Sequence, residues 1–187
     1  MPKKLKDVMP IYPEVPKAQY NPAPEGLHRA VCVDVIDLGI QPGYQQKPTH
    51  QVRLIWEIDK VDPDTEERYR VMNTYTLSLH EKSNLSQHLE AWRGKKFTDI
   101  ERFGDPNTPD RRGRFDVELV KGANCQIQIG HTIKEGGKTW PDILAITEPP
   151  KGVEKLECLH YKRKETPKPE DEDNGYPAPT DDDGPPF

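Results

Sequence analysis

Cations and aromatic rings recur together along this chain, and their pairing defines the chemistry open to it. Tyr44 precedes Lys47 in a Gly- and Pro-flanked stretch, and Trp140 follows Lys134 and Lys138. Arg53 and Arg70 occupy polar positions within alternating apolar runs. Arg93, Lys95 and Lys96 form one basic cluster, and Arg111, Arg112 and Arg114 form another. An exposed ring can stack on a nucleobase for about 1–3 kcal/mol, and Lys or Arg neutralises phosphate without reading sequence. These two residue types are what binding a single nucleic-acid strand requires. For each residue the plain alternative is a solubilising cation or a core ring. Trp56 and Trp92 take that alternative, because each shares a face with Leu or Ile. Tyr69 and Tyr75 share a face with Val71 and Leu77, which leaves both open.

Other chemistries find less support. No glycine-rich phosphate loop leads into Lys-Ser or Lys-Thr. His28, His50, His80, His88, His131 and His160 are scattered. Cys32, Cys125 and Cys158 form no CxxC pair, which argues against a disulfide framework or structural zinc and fits a reducing cytosol. Asp34 with Asp37, or Glu66 with Glu67, resemble nuclease carboxylates only in the way many surface pairs do. Cys158 and His160 would need distant partners to hold a metal. The residues read as a binding protein rather than an enzyme, with no cofactor and no metal.

The elements that must position these residues follow from periodicity. Residues 27–38 read as a long strand, with Leu27, Val31, Val33 and Val35 on one face and His28, Ala30, Cys32, Asp34 and Ile36 on the other. Mixed character on both faces suits a barrel strand that bends and serves two sheets. A flexible loop over 39–48 carries Tyr44 and Lys47. In the second strand Val52, Leu54, Trp56 and Ile58 alternate with Gln51, Arg53, Ile55, Glu57 and Asp59. Asp62-Pro63-Asp64-Thr65 turns the chain into a third strand over 68–79. Ser83 as N-cap, Leu85, Leu89 and Trp92 at helical spacing, and Gly94 as stop predict a helix over 84–93. A polar loop follows over 105–114, then a short helical turn over 115–120. Residues 124–133 and 139–147 read as a last hairpin around Glu135-Gly136-Gly137-Lys138.

The ends differ from this middle. Leu, Ile, Val and Phe make up a quarter of residues 27–148 but about an eighth of the rest, so the core lies in the middle. Residues 1–24 hold six prolines and read as an extended arm. Residues 25–150 read as the folded domain, 151–164 as a short extension of unassigned docking, and 165–187 as a disordered tail. That tail carries eight acids and one Lys, a charge of −7 against −5 for the whole chain, so residues 1–164 are +2. No membrane-length apolar run and no secretory h-region are present, and the expected location is the cytoplasm.

Five strands with one short helix between the third and fourth is the order of the OB-fold, a small Greek-key barrel, and the expected fold class is mainly β. A lipocalin-like or split barrel satisfies the same order. Two segments add a resemblance. Asp181-Asp182-Asp183-Gly184-Pro185-Pro186-Phe187 resembles the acidic tip of bacterial-type single-stranded DNA-binding proteins, though those typically carry an aliphatic residue and one Pro before the Phe. The stretch from Thr74 to Ser83 and on through Trp92-Arg93-Gly94-Lys95-Lys96-Phe97 looks like phage and prophage single-stranded DNA-binding proteins. The resemblance implies a protein that coats single-stranded DNA in phage replication or recombination, in the bacterial host cytoplasm. It also implies recruitment of replication, recombination or repair proteins through Asp181, Asp182, Asp183, Pro185, Pro186 and Phe187, and it admits a homo-oligomer. The Phe ring would fill an apolar pocket while its carboxylate meets an Arg. The alternative is an RNA- or protein-binding adaptor with an acidic interaction tail. A metal-dependent nuclease ranks last.

Overall fold

The computed structural model describes residues 21–109 and 114–163. Five antiparallel strands form one sheet in the order β3-β2-β1-β4-β5. They are β1 (Gly26–Pro42), β2 (Pro48–Val61), β3 (Arg68–Thr76), β4 (Asn124–Ile133) and β5 (Thr139–Thr147). Helix α1 (Asn84–Arg93) and the shorter α2 (Asp99–Phe103) lie between β3 and β4, and a 3-10 turn spans Val117–Val120. The two outer strands, β3 and β5, approach one another, and α1 packs on both. The protein is mainly β.

The central strand explains this shape. The first part of β1 pairs with β4 from Gly26 to Val31, and the remainder pairs with β2 from Ala30 to Pro42. At the crossover the register slips between Cys32 and Asp34, which makes Val33 a bulge. The Cys32 backbone turns aside to donate to Ala123 O at 2.9 Å and accept from Gly122 N at 2.7 Å. The bulge also corrects the face assignment read from alternation. Before it, His28, Ala30 and Cys32 point into the core; after it Val35 does. Val31 and Val33 bury on the opposite side of the sheet, and Leu27 is exposed. One extra residue reverses the parity of the residues after it, up to a second slip between Asp37 and Gly39.

Along the core-facing positions of β2 and β3 the expected alternation holds. Val52, Leu54, Trp56 and Ile58 of β2 and Val71 and Tyr75 of β3 are buried in the main core. Ile127, Ile129 and Ile146 close it from the other half of the sheet. The β3 ladder ends at Thr76, short of the expected residue 79, and Leu77 is exposed.

Helix α1 covers the open end of this core with Leu85, Leu89 and Trp92, the Trp92 ring lying 6.2 Å from that of Trp56. Trp92 Nε1 donates to Asn124 O at 2.7 Å, so a buried indole costs no unpaired donor there. Ser83 caps the N-terminus by accepting from Ser86 N, and Gly94 ends the helix at φ 66°. A Cβ at Gly94 would also run into the Glu148 carboxylate. Helix α2 lies outside the periodicity reading because its five residues are too few to show a stripe. Its signal is the capping box, in which Thr98 accepts from Glu101 N while Glu101 accepts from Thr98 N.

Asn21–Pro24 belong to the body rather than to a free arm. Ala23 is buried in the core, its carbonyl lies 2.7 Å from His131 Nε2, and Asn21 Nδ2 donates to Asp62 and Asp64. The rest of the arm, residues 1–20, and the tail over 165–187 lie outside the described residues. Among the described residues no helix is long and apolar enough to cross a membrane.

Candidate functional site

The β4–β5 hairpin gathers three of the sequence-predicted residues into one group. Gly136 and Gly137 take positive φ at the tip, and Lys134 N donates to Lys138 O at 3.1 Å, which brings the two lysines back beside each other. Trp140 pairs with Thr132 on the adjoining strand and is more than a third exposed. Lys134 Nζ lies 4.9 Å from the Trp140 ring centroid and Lys138 Nζ lies 5.0 Å from it. Both distances are within cation–π range, so two ammonium groups lie over the ring.

Arg53 and Arg70 fall on the outward face of β2 and β3. Inward-facing neighbours Leu54 and Val71 are buried, so alternation turns both arginines out. Arg53 Nε donates to Thr74 Oγ1 at 3.1 Å, and Arg70 pairs with Glu67. Met72 is exposed on the same face, in register with Ile55. Lys47 is exposed beside the β1–β2 turn, where Gly43 N donates to Lys47 O, and Tyr44 begins that turn.

The second cluster divides. Arg93 is turned inward: it pairs with Glu101 at 2.5 Å and lies over Phe97 and Phe115, 4.4 and 5.1 Å from their centroids. The Thr98 backbone N–H and the Arg93 guanidinium hold the Glu101 carboxyl down at about 2. Lys95 and Lys96 are exposed. Arg114 lines a cavity of about 450 Å³ whose apolar wall includes Val35, Val52, Leu79, Phe115 and Val117. His50 and Asp37 also line it, with His50 Nε2 and Asp37 Oδ1 2.6 Å apart. Arg111, Arg112 and the tip residues lie outside the described residues.

Residues 151–163 answer the docking that the sequence leaves unassigned. They form no helix or strand but lie as a strap along the outward face of β1 and β2. Leu156 and Tyr161 cover Val31, Val33 and Ile55. Glu57, buried on that face, accepts from the Leu159 and His160 backbone N–H groups at 3.1 and 3.2 Å. Asp34, also buried, accepts from Tyr161 Oη at 2.6 Å and from Arg163 Nε and a terminal Arg163 nitrogen at 2.8 and 2.5 Å. Lys121 Nζ stands 3.5 Å from the same carboxylate. Burial alone would raise the Asp34 carboxyl; the Arg163 and Tyr161 hydrogen bonds outweigh it and hold it at about 2. The Leu156 backbone and Asn124 side chain bond each other in both directions, at 3.0 and 2.7 Å.

Asp34 and Glu57 tie the strap to the sheet; the motif reading weighs Asp34 only as a pair with Asp37 and does not single out Glu57. Their signal was indirect. Ile36, Ile55 and the valines on a nominally polar face need something to cover them. The oxygens of Asp34 are taken by Arg163 and Tyr161, while Asp37 lies against His50. Among the described residues no group of three or more His, Cys, Asp or Glu side chains gathers as a metal site. No known family model matches the chain, and no curated protein sequence is detectably similar to it.

Proposed function

We propose that this protein binds single-stranded DNA without sequence preference, through the β4–β5 hairpin and the outward face of β2 and β3. The carrying observation is Trp140 with Lys134 and Lys138 about 5 Å from its ring. A base stacked on that ring places its flanking phosphates within reach of two flexible ammonium groups, which is the combination single-strand binding uses. Arg53, Arg70, Lys47, Lys95 and Lys96 extend the cationic surface. We read the sheet as an OB-fold barrel. Support comes from β1 shared between β2 and β4, the approach of β3 to β5, and helices placed between β3 and β4. In this reading the acidic segment ending at Phe187 recruits partner proteins of phage replication or recombination.

The three tryptophans make the test direct. Trp56 and Trp92 are buried, so quenching of tryptophan emission by an oligo-dT titration reports on Trp140. Trp140→Ala is expected to weaken dT binding by roughly 1–3 kcal/mol without changing the melting temperature. Duplex DNA and RNA serve as competing probes. Equal affinity for duplex and single strand, or binding that salt does not weaken, would overturn the proposal.

A further inference from the structure

The strap lies where a polyanion would have to approach the sheet, and two arrangements are conceivable: a cover that leaves, or a permanent part of the surface. Electrostatics decides between them. Beneath the strap are Asp34 and Glu57, both buried, and the apolar side chains of Val31, Val33 and Ile55. A departing strap would present two carboxylates to incoming phosphate, and like charges set against each other at an interface are repulsive. With the strap in place, both carboxylates are satisfied from within the chain. Residues 151–163 hold four Lys or Arg against two Glu. Lys155 and Lys162 are exposed, and Arg163 keeps half its side chain in water while holding Asp34. The strap's net charge of +2 thus offsets the two buried carboxylates and leaves Lys155 and Lys162 among its exposed cations. Arg68 fastens it at the β3 edge, donating to Glu157 O at 2.8 Å.

We propose that residues 154–163 are a phosphate-contacting strap, in which Lys155 and Lys162 meet the DNA backbone while Asp34 and Glu57 act as internal ties that position them. This inference rests on the single-strand-binding reading and names a second part of the same surface. Nucleic acid would run along the strap.

The test uses the full chain and dT oligomers titrated at several salt concentrations. The intact chain should show a log–log salt slope of about −0.7 per neutralised phosphate. Lys155→Ala/Lys162→Ala removes two exposed cations, so the fold is kept. The slope should become shallower by about 1.4, and affinity should fall at low salt. Tyr161→Phe/Arg163→Met should release the strap, read as lost exchange protection of the Leu159 and His160 amides, and should weaken binding. An unchanged slope for the lysine pair, or tighter binding on release, would show that the strap is a cover and overturn this inference alone. Failure of the intact chain to bind dT at any salt overturns the parent reading and this one together.

Discussion

Arg93 and Trp140 illustrate how residues of the same apparent promise diverge once neighbours are fixed. Both lie beside other cations in sequence. Trp140 sits on a hairpin, more than a third exposed with two lysines over its ring, whereas Arg93 spends its guanidinium on Glu101 and two phenylalanine rings. A charged hydrogen bond of this kind is worth about 1.5–3 kcal/mol. Arg93→Ala is therefore expected to lower stability to urea by roughly that amount. Its affinity for dT should change little. A variant that kept full stability but lost binding would return Arg93 to the interface.

The strap is an element without secondary structure, so its stability rests on a few side-chain ties, and one of them titrates. Asp34 is held at about 2, below the ordinary carboxylate value of 3.8. A depressed pKa means that the tie contributes fully above the ordinary value and is lost as pH falls through about 2. Asp34→Asn should cost about 1.5–3 kcal/mol at pH 6, where the charged tie is complete. Between pH 4 and pH 2 the unmodified chain should lose stability more steeply than the variant, and the two curves should converge. Chemical denaturation across that range checks this. Parallel curves would show that Arg163 and Tyr161 contribute nothing to the carboxylate.

At the scale of the molecule, we expect the body and the acidic segment to be separable. The core is built from residues of the five strands, α1 and the segments beside them, all before residue 164 in the sequence. Deleting residues 181–187 should leave the melting temperature unchanged and should preserve or raise dT affinity, most visibly at low salt where charge is least screened. Phe187→Ala keeps the three aspartates and should leave dT affinity unchanged. A deletion that weakened dT binding severalfold would place the tip in the DNA site rather than apart from it.

Much of this architecture was legible in the one-dimensional pattern. Alternation placed Leu54, Trp56 and Ile58 in the core and turned Arg53 outward, because a strand's side-chain period of two leaves no other choice. Ser83 and Gly94 bounded α1 because caps are local chemistry. Glycines at 136 and 137 located the hairpin that carries Trp140, since positive φ is a local demand. What only the tertiary structure decided were the non-local matters. The bulge at Val33 depends on which partner each half of β1 finds, and it reversed the faces of the residues that follow it. The burial of Asp34 and Glu57 required a segment more than a hundred residues away to return across the sheet. A carboxylate's sequence neighbours do not reveal whether an arginine 129 positions later will neutralise it. Local propensity is written in adjacent residues; burial and charge pairing are properties of the chain folded on itself.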